Sequence, residues 1–103
     1  MVYQFQGPYN YHADILGGWD SVAIGVYYCG YINPQNGVMY AHYVGKGTGQ
    51  GGMKSRLLDH LRENLWSGVT HFGFRACDTV AEADALECSE ILRCQPAYNK
   101  VGK

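Results

Sequence analysis

Strand-like and turn-like segments alternate in the first half of the chain and predict a β-hairpin. Residues 21–32 and 38–45 are rich in β-branched and aromatic side chains, which are typical of strands. Asn, Pro and Gly in residues 33–37 separate these segments and favour a turn. A third segment of strand-like composition, residues 69–77, predicts one more strand.

Helical periodicity and helix boundary signals mark the rest of the chain. In residues 54–66 four leucines recur at helical spacing, which predicts a helix with one apolar face. Thr79 and Glu82 have the spacing of a capping box that opens a second helix. This helix should end near Gln95, because Pro96 disfavours helical geometry in the residue before it.

The order of these elements predicts a small α/β domain. The elements follow one another as ββαβα, which fits a three-stranded sheet, mixed or antiparallel, flanked by helices. Residues 1–20 are polar and aromatic and contain the turn pairs Gly7-Pro8 and Gly17-Gly18, so they predict an irregular N-terminal arm. The folded domain would then comprise residues 21–103.

Composition restricts the class of protein. A chain of 103 residues can form one modest hydrophobic core, and 47% hydrophobic with 17% charged residues is typical of a folded domain. No apolar run reaches membrane-spanning length, and the first residues lack the pattern of a signal peptide. These features predict no membrane association and an intracellular location, either cytoplasmic or nucleoid-associated.

Cysteine spacing and net charge exclude two further classes of site. The four cysteines form no C-x-x-C pair, so we expect reduced cysteines in a core and no zinc site. A net charge of -1 gives no general affinity for nucleic acid, because phosphate contacts need clustered positive charge. A nucleic-acid partner would have to be bound by local basic patches.

One carboxylate stands out on the second predicted helix. If residues 80–94 are helical, Glu87 falls in the middle of an apolar stripe, and Glu90 lies at its rim. The stripe consists of Val80, Ala83, Leu86, Ile91 and Cys94. An unpaired buried carboxylate is so costly that Glu87 should pair with Arg56 or Arg75, become protonated, or bind a cation.

A glycine-rich segment between the hairpin and the first helix resembles a phosphate-binding loop only in part. Residues 47–55 read GTGQGGMKS, and Met53 separates the last glycine from Lys54. In a Walker A loop the lysine directly follows a glycine, and a large parallel sheet supports the loop. The segment therefore favours a connection between hairpin and helix.

An ordered set of motifs runs along most of the chain. It comprises Gly25-Val26-Tyr27, Tyr43-Val44-Gly45, Arg56, His60, Glu87 and the closing Pro96-Ala97-Tyr98-Asn99. The set resembles the GIY-YIG nuclease family from about Val22 to Asn99. Two departures are the valine in the first triplet, where isoleucine is usual, and a rather long insert between the two motif tyrosines, which falls in the turn.

The resemblance implies that the chain is a phosphodiesterase that cuts DNA with one divalent cation, Mg²⁺ or, as a substitute, Mn²⁺. Glu87 would be the metal ligand, and Arg56 would bind the phosphate oxygens as negative charge develops. Tyr27 is the first candidate for the group that activates water, and Lys46 is the second. Tyr43 would orient the water or the scissile phosphate.

Three further residues complete the predicted site. His60 lies one helical turn after Arg56 and could hydrogen-bond Tyr27 or relay its proton. Asn99 would position the substrate or the metal-binding glutamate, and Lys54 is a further candidate for substrate binding.

Two alternatives to a self-sufficient endonuclease stay open at this point. The same fold could recognise branched or nicked DNA without cutting it, or the chain could be the nuclease subunit of a larger assembly. In the second case the aromatic arm would contact a partner protein or a second copy in a homodimer, since aromatic residues are enriched in interface cores. The residues concerned are Tyr3, Phe5, Tyr9, Tyr11 and Trp19.

Overall fold

Four antiparallel strands form the sheet of this α/β domain in a computed structural model, which describes residues 1–17, 23–63 and 68–99. The strands are β1 (Gln6–Asn10), β2 (Gly25–Ile32), β3 (Met39–Gly47) and β4 (His71–Ala76), in the spatial order β1-β4-β2-β3. The helices are α1 (Ala13–Gly17), α2 (Gly52–Glu63) and α3 (Val80–Cys94), and a short 3₁₀ turn follows at Ala97–Asn99. Within the described residues no helix is long and apolar enough to cross a membrane.

The predictions of an irregular N-terminal arm and of a three-stranded sheet are wrong, because the N-terminal segment contributes a fourth strand. Residues 1–20 contain β1 and α1, and β1 pairs with β4, so the predicted order ββαβα lacks its first two elements. The pairing joins Gln6 to Phe74 and Tyr9 to Phe72, with an irregularity between them. Gly7-Pro8 falls in this gap, where it interrupts the ladder without ending the strand. The proposed domain boundary after residue 20 lies outside the described residues.

Aromatic side chains of the arm pack against the chain's own sheet. Phe5 contacts Tyr28 edge to face with ring centroids 5.5 Å apart, and Tyr9 lies 5.5 Å from Phe72. Aromatic pairs of this geometry stabilise a fold beyond the area that they bury. The arm therefore contributes to the domain itself, while Trp19 lies outside the described residues.

The hairpin prediction is confirmed, with small shifts at its ends. β2 and β3 pair from Gly25 opposite Gly47 to Ile32 opposite Met39, with a bulge after Cys29. The predicted first strand began at residue 21, but β2 begins at Gly25, and residues 21 and 22 lie outside the described part. β3 continues to Gly47, two residues beyond its predicted end.

The two faces of the sheet carry separate hydrophobic clusters. The cluster on the α2 face consists of Leu16, Tyr27, Cys29, Met53, Leu57 and Phe72. The cluster on the α3 face consists of Val26, Tyr28 and Val44, with Leu86, Ile91 and Cys94 packed against it. Because successive side chains of a strand point to opposite faces, the neighbours Tyr27 and Tyr28 lie in different clusters.

The boundaries of α2 and β4 agree with the sequence within a few residues. α2 begins at Gly52, two residues before the predicted start, and residues 64–66 of the predicted helix lie outside the described part. Leu57, one of the four periodic leucines, is fully buried. β4 occupies His71–Ala76 within the predicted segment 69–77.

Both boundary signals of α3 are confirmed. The Thr79 side chain accepts a hydrogen bond from the Glu82 backbone, and the Glu82 side chain accepts one from the Thr79 backbone. The helix ends at Cys94, and Gln95 adopts a left-handed conformation with φ of 47°. Thr79 therefore fixes where α3 starts, and with it the position of every side chain on the helix.

The burial of the two central carboxylates of α3, Glu87 and Glu90, is the reverse of the prediction. The Glu90 side chain, expected at the rim, is only 9% exposed, whereas that of Glu87 is 25% exposed. Glu90 can be buried because it accepts a hydrogen bond from the Tyr28 hydroxyl and two from the Arg93 guanidinium. These three bonds offset the cost of removing its charge from water.

The expectation that the cysteines are reduced core residues holds for two of the four. All four are free thiols; Cys29 and Cys77 are buried, Cys94 is half-buried and Cys88 is exposed on α3. Because burial disfavours the charged thiolate, it raises the pKa of Cys77 above its ordinary value. Cys29 and Cys77 are thus structural.

Candidate active site

A buried hydrogen bond joins Tyr27 of β2 to His60 of α2. The hydroxyl oxygen of Tyr27 lies 2.7 Å from Nε2 of His60. The two residues are 1% and 6% exposed, respectively. The contact between His60 and Tyr27 that the sequence suggested is therefore present, and it lies between α2 and the sheet.

Gly45 of β3 provides the space in which the Tyr27 hydroxyl lies. It is the cross-strand partner of Tyr27, and a Cβ atom at this position would lie 2.6 Å from the Tyr27 hydroxyl oxygen and 2.7 Å from Cε2 of Tyr43. Real Cβ atoms essentially never show such short contacts, so a side chain here would displace one or both rings. In the sequence Gly45 stands out only as part of the triplet Tyr43-Val44-Gly45, which gives no sign of this role.

Tyr43 completes a cluster of three rings with Tyr27 and His60. Its ring centroid lies 6.2 Å from that of Tyr27 and 5.4 Å from that of His60. Burial raises the pKa of Tyr43, and the negative charge of Glu87 adds to this effect. The Tyr43 hydroxyl thus lies within electrostatic range of the Glu87 carboxylate of α3.

Burial and one cation set the protonation states of the central pair. Burial raises the pKa of Tyr27 well above its ordinary value, with a smaller contribution from Tyr43, whereas the nearby Arg56 guanidinium opposes the rise. For His60, burial and then the charge of Arg56 lower the pKa below its ordinary value of 6.5. At neutral pH both groups are therefore uncharged, and Nε2 can accept the hydroxyl proton when Nδ1 carries the hydrogen.

Arg56 lies at the open side of this cluster, one helical turn before His60. Its side chain is 49% exposed, and among the described residues it forms an ion pair with Asp59, with 3.8 Å between the nitrogen and oxygen atoms. An ion pair this exposed and this long contributes little to stability. The guanidinium therefore retains donors for an incoming phosphate.

Lys46 and Asp84 border the carboxylate of Glu87. Nζ of Lys46 lies 3.8 Å from Oε1 of Glu87 and donates a hydrogen bond to Asp84. Among the described residues the cation beside Glu87 is Lys46, so pairing with Arg56 or Arg75, one of the three alternatives for Glu87, is not found. Asp84 was missed by the sequence analysis, although its position one turn before Glu87 on α3 was a signal.

Glu87 offers a single carboxylate as a possible ligand for a cation. Its oxygens accept no hydrogen bond from the residues that the structure describes, and its side chain is partly exposed. Across those same residues no group of three or more His, Cys, Asp and Glu side chains could hold a metal ion. Mg²⁺ suits such a place, because it retains several waters and binds through one or two carboxylates together with substrate phosphates.

The surroundings of Lys46 argue against it as the base. The hydrogen bond to Asp84 raises the pKa of Lys46, and the charge of Glu87 adds to the rise. A lysine must be neutral to accept a proton from water, so these anions stabilise the inactive form. Lys46 is better suited to hold a positive charge beside Glu87.

Asn99 braces the β3 edge next to the motif residues. Its Oδ1 accepts a hydrogen bond of 2.7 Å from the Val44 backbone nitrogen, and its Nδ2 donates one of 2.8 Å to the Val44 carbonyl. Both the oxygen and the nitrogen of the side-chain amide are hydrogen-bonded, so Asn99 fixes the backbone of β3 at Val44, between Tyr43 and Gly45. Lys54 lies half-buried in the first turn of α2, and its side chain forms no ion pair with the described residues.

We expect Asn99→Ala to lower the free energy of unfolding by about 2 kcal/mol, because it leaves a buried backbone donor and acceptor without partners. Urea denaturation measures the change. Asn36→Ala is the matched control, since Asn36 also makes two side-chain hydrogen bonds, to Val38 and Tyr40, but in an exposed turn. Equal losses in the two variants would contradict a special role for the Asn99 brace.

Comparison of the whole chain with protein-family models, with curated proteins and with solved structures found no match. The arrangement of side chains within the site therefore provides the basis for assigning a function. That arrangement combines a neutral phenol and imidazole, an accessible guanidinium and a partly exposed carboxylate.

Proposed function

We propose that this protein is a Mg²⁺-dependent endonuclease that hydrolyses phosphodiester bonds in DNA, the activity of the GIY-YIG family that its sequence resembles. The observation that carries the proposal is the buried hydrogen bond of 2.7 Å between Tyr27 and His60. It lies beside Tyr43 and Arg56, and Glu87 lies within electrostatic range of Tyr43. Each requirement of phosphodiester hydrolysis has a candidate group among these residues.

Tyr27 and His60 together serve to activate water. A phenol with a raised pKa is a poor base by itself, because forming its anion in a buried place is unfavourable. If the Tyr27 hydroxyl gives its proton to Nε2 of His60 as it takes one from water, no isolated phenolate has to form. The lowered pKa of His60 keeps the imidazole neutral and ready to accept that proton.

Arg56 serves to stabilise the charge that develops on the phosphate. Its fork of N–H donors matches two non-bridging phosphate oxygens, and its long contact with Asp59 leaves these donors accessible. Lys46 and Lys54 add positive charge on β3 and α2, so the site supplies locally what a net charge of -1 does not supply overall.

Glu87 serves as the protein ligand of the cation. When bound there, Mg²⁺ supplies charge neutralisation to the phosphate and to the departing oxygen. Lys46 stays hydrogen-bonded to Asp84 and so leaves the Glu87 carboxylate for the cation. Mn²⁺ is expected to substitute, because it also prefers oxygen ligands.

Incubation with supercoiled plasmid tests the proposal. With Mg²⁺ we expect relaxed and then linear DNA; excess EDTA should stop the reaction, and added Mn²⁺ should restore it. Asp14→Asn is a suitable control variant, because it removes an exposed carboxylate of α1 that lies far along the chain from Glu87. Among the described residues, Asp14 forms an ion pair only with His12.

Three outcomes would contradict the proposal. Cleavage that continues in EDTA would exclude the cation requirement. Loss of cleavage in Asp14→Asn would show that the assay reports protein quality rather than the site. Binding of branched or nicked DNA without any cleavage would favour the alternative of a DNA-binding module.

A further inference from the structure

A cavity of about 800 Å³ opens on the α3 face of the sheet, the face opposite to Tyr27. Its apolar walls include Phe5 and Pro8 of the N-terminal segment and Met39 of β3. Arg75 and Arg93 line it as well. Predominantly apolar clefts of about 300–1,000 Å³ with a few convergent polar groups are typical of small-molecule sites.

A hydrogen-bonded triad forms the polar part of this cavity. The Tyr28 hydroxyl donates to Glu90 with 2.7 Å between the oxygens, and Arg93 donates to the same carboxylate through Nε at 2.7 Å and Nη2 at 2.9 Å. Glu90 is nearly buried, whereas the Arg93 side chain is 67% exposed. One end of Arg93 is thus fixed, and its other donors reach the cavity.

The second arginine is also held in place. Nε of Arg75 donates to the carbonyl oxygen of Tyr3 at 3.0 Å, which leaves the terminal nitrogens for other contacts. Arg75 lies close enough to Glu90 to help lower the pKa of that carboxyl, after the larger effect of Arg93. Two guanidinium groups therefore flank one carboxylate, and the polar part of the cavity carries a net positive charge.

The hydrogen bonds among Tyr28, Glu90 and Arg93 are not needed to fill space between α3 and the sheet. Burial of the Glu90 carboxylate carries a desolvation cost, and apolar side chains of similar volume often stabilise a fold as well or better. Orienting Arg93 towards a cavity, in contrast, lowers the entropy that is lost when it binds an anion. The triad therefore has the properties of a preorganised anion-binding group.

We propose that the cavity binds a nucleoside monophosphate, with the phosphate on Arg75 and Arg93 and the base against the apolar wall of Phe5 and Met39. The N–H donors that Arg75 and Arg93 retain can bind several oxygens of a phosphate monoester, whereas a carboxylate offers only two oxygens. The aromatic ring of Phe5 offers a surface for a planar base. This site is separate from Tyr27 and does not depend on the proposed nuclease activity.

Isothermal titration with AMP and with dTMP tests the proposal, with the matching nucleosides adenosine and thymidine and with inorganic phosphate as partial ligands. We expect both nucleotides to bind at least tenfold more tightly than either partial ligand. Adenosine as tight as AMP would exclude phosphate recognition, and inorganic phosphate as tight as AMP would exclude recognition of the base. Either result would overturn the proposal.

Arginine variants locate the site. Arg93→Gln and Arg75→Gln should each weaken AMP binding at least tenfold, whereas Arg62→Gln, an exposed change on α2, should leave it unchanged. Arg56→Gln should also leave it unchanged, which separates this cavity from the candidate active site. A loss with Arg56→Gln and none with Arg93→Gln would assign AMP to the active site and overturn the proposal.

Two substitutions of opposite charge at the rim of the cavity test the proposal even if an arginine variant fails to fold. Val38 lines the cavity and is 49% exposed, so either charge can replace it without burial. Val38→Glu should weaken AMP binding several-fold, and Val38→Lys should strengthen it. Equal affinities in the two variants would contradict an anion site at this cavity.

Discussion

Replacement of Glu87 by glutamine is expected to lower the rate of Mg²⁺-dependent DNA cleavage by about 1000-fold, which corresponds to roughly 4 kcal/mol of transition-state stabilisation. Glutamine keeps the shape of the side chain but offers the cation a neutral amide oxygen. The fold should be retained, since Lys46 stays bonded to Asp84 and its 3.8 Å contact with the partly exposed Glu87 contributes little. Single-turnover cleavage of plasmid measures the rate, and thermal unfolding monitors the fold.

Glu90→Gln is the matched control, one helical turn further along α3. It replaces a carboxylate that accepts three hydrogen bonds from Tyr28 and Arg93, so we expect a clear loss of stability. The cleavage rate of the fraction that stays folded should be unchanged, because Glu90 lines the cavity on the α3 face, away from Tyr27. If Glu87→Gln cuts at the wild-type rate, Glu87 does not take part in the reaction.

The opposite fates of these two glutamates show what helical periodicity can and cannot predict. The spacing of apolar residues correctly placed both near the buried side of α3. Which of the two is buried depends on what the sheet offers beneath each position. Glu90 accepts hydrogen bonds from the Tyr28 hydroxyl of β2 and from Arg93. Glu87 instead lies beside Lys46 of β3 and is partly exposed. Periodicity within one helix contains none of this information.

Strand β1 was missed for a related reason. All five of its residues are exposed, so it lacks the alternation of apolar and polar positions that marks a half-buried strand. Gly7-Pro8 in its centre also argues against a strand, because proline cannot donate to the ladder. β1 is held by pairing with β4 and by ring contacts such as that of Tyr9 with Phe72. These contacts are distant in the chain and have no local signature.

The centre of the candidate site was more predictable than its supports. Tyr27, Tyr43 and His60 meet because β2 and β3 form a hairpin and α2 follows it directly, so local connectivity brings them together. The Asn99 brace on Val44 joins residues 55 positions apart, and its geometry depends on how α3 ends. Such long-range contacts follow from the folded arrangement of α3 against β3, which spacing does not specify.

Tyr27→Phe is expected to lower the maximal cleavage rate by about 10²–10⁴-fold, the range for loss of general acid–base catalysis. The substitution keeps the ring and its contact with Tyr43 but removes the hydroxyl that bonds His60. Lys46→Met should chiefly weaken DNA binding, because its amine is already protonated beside Asp84. Steady-state kinetics separate the two, since the first change lowers kcat and the second raises KM.

The pH dependence gives this prediction its direction. His60 must be neutral to accept the Tyr27 proton, and its pKa lies below 6.5 in the fold, so cleavage should fall as the pH drops through that lowered value. Just below pH 6.5 the unfolded chain takes up a proton at His60 that the folded chain does not, so the free energy of unfolding also falls as the pH drops. Thermal unfolding must therefore be measured at each pH together with the cleavage rate. Tyr27→Phe should remove this limb from the profile of the residual activity, whereas Lys46→Met should keep it. A Tyr27→Phe variant with the wild-type rate and profile would show that water is activated by another group.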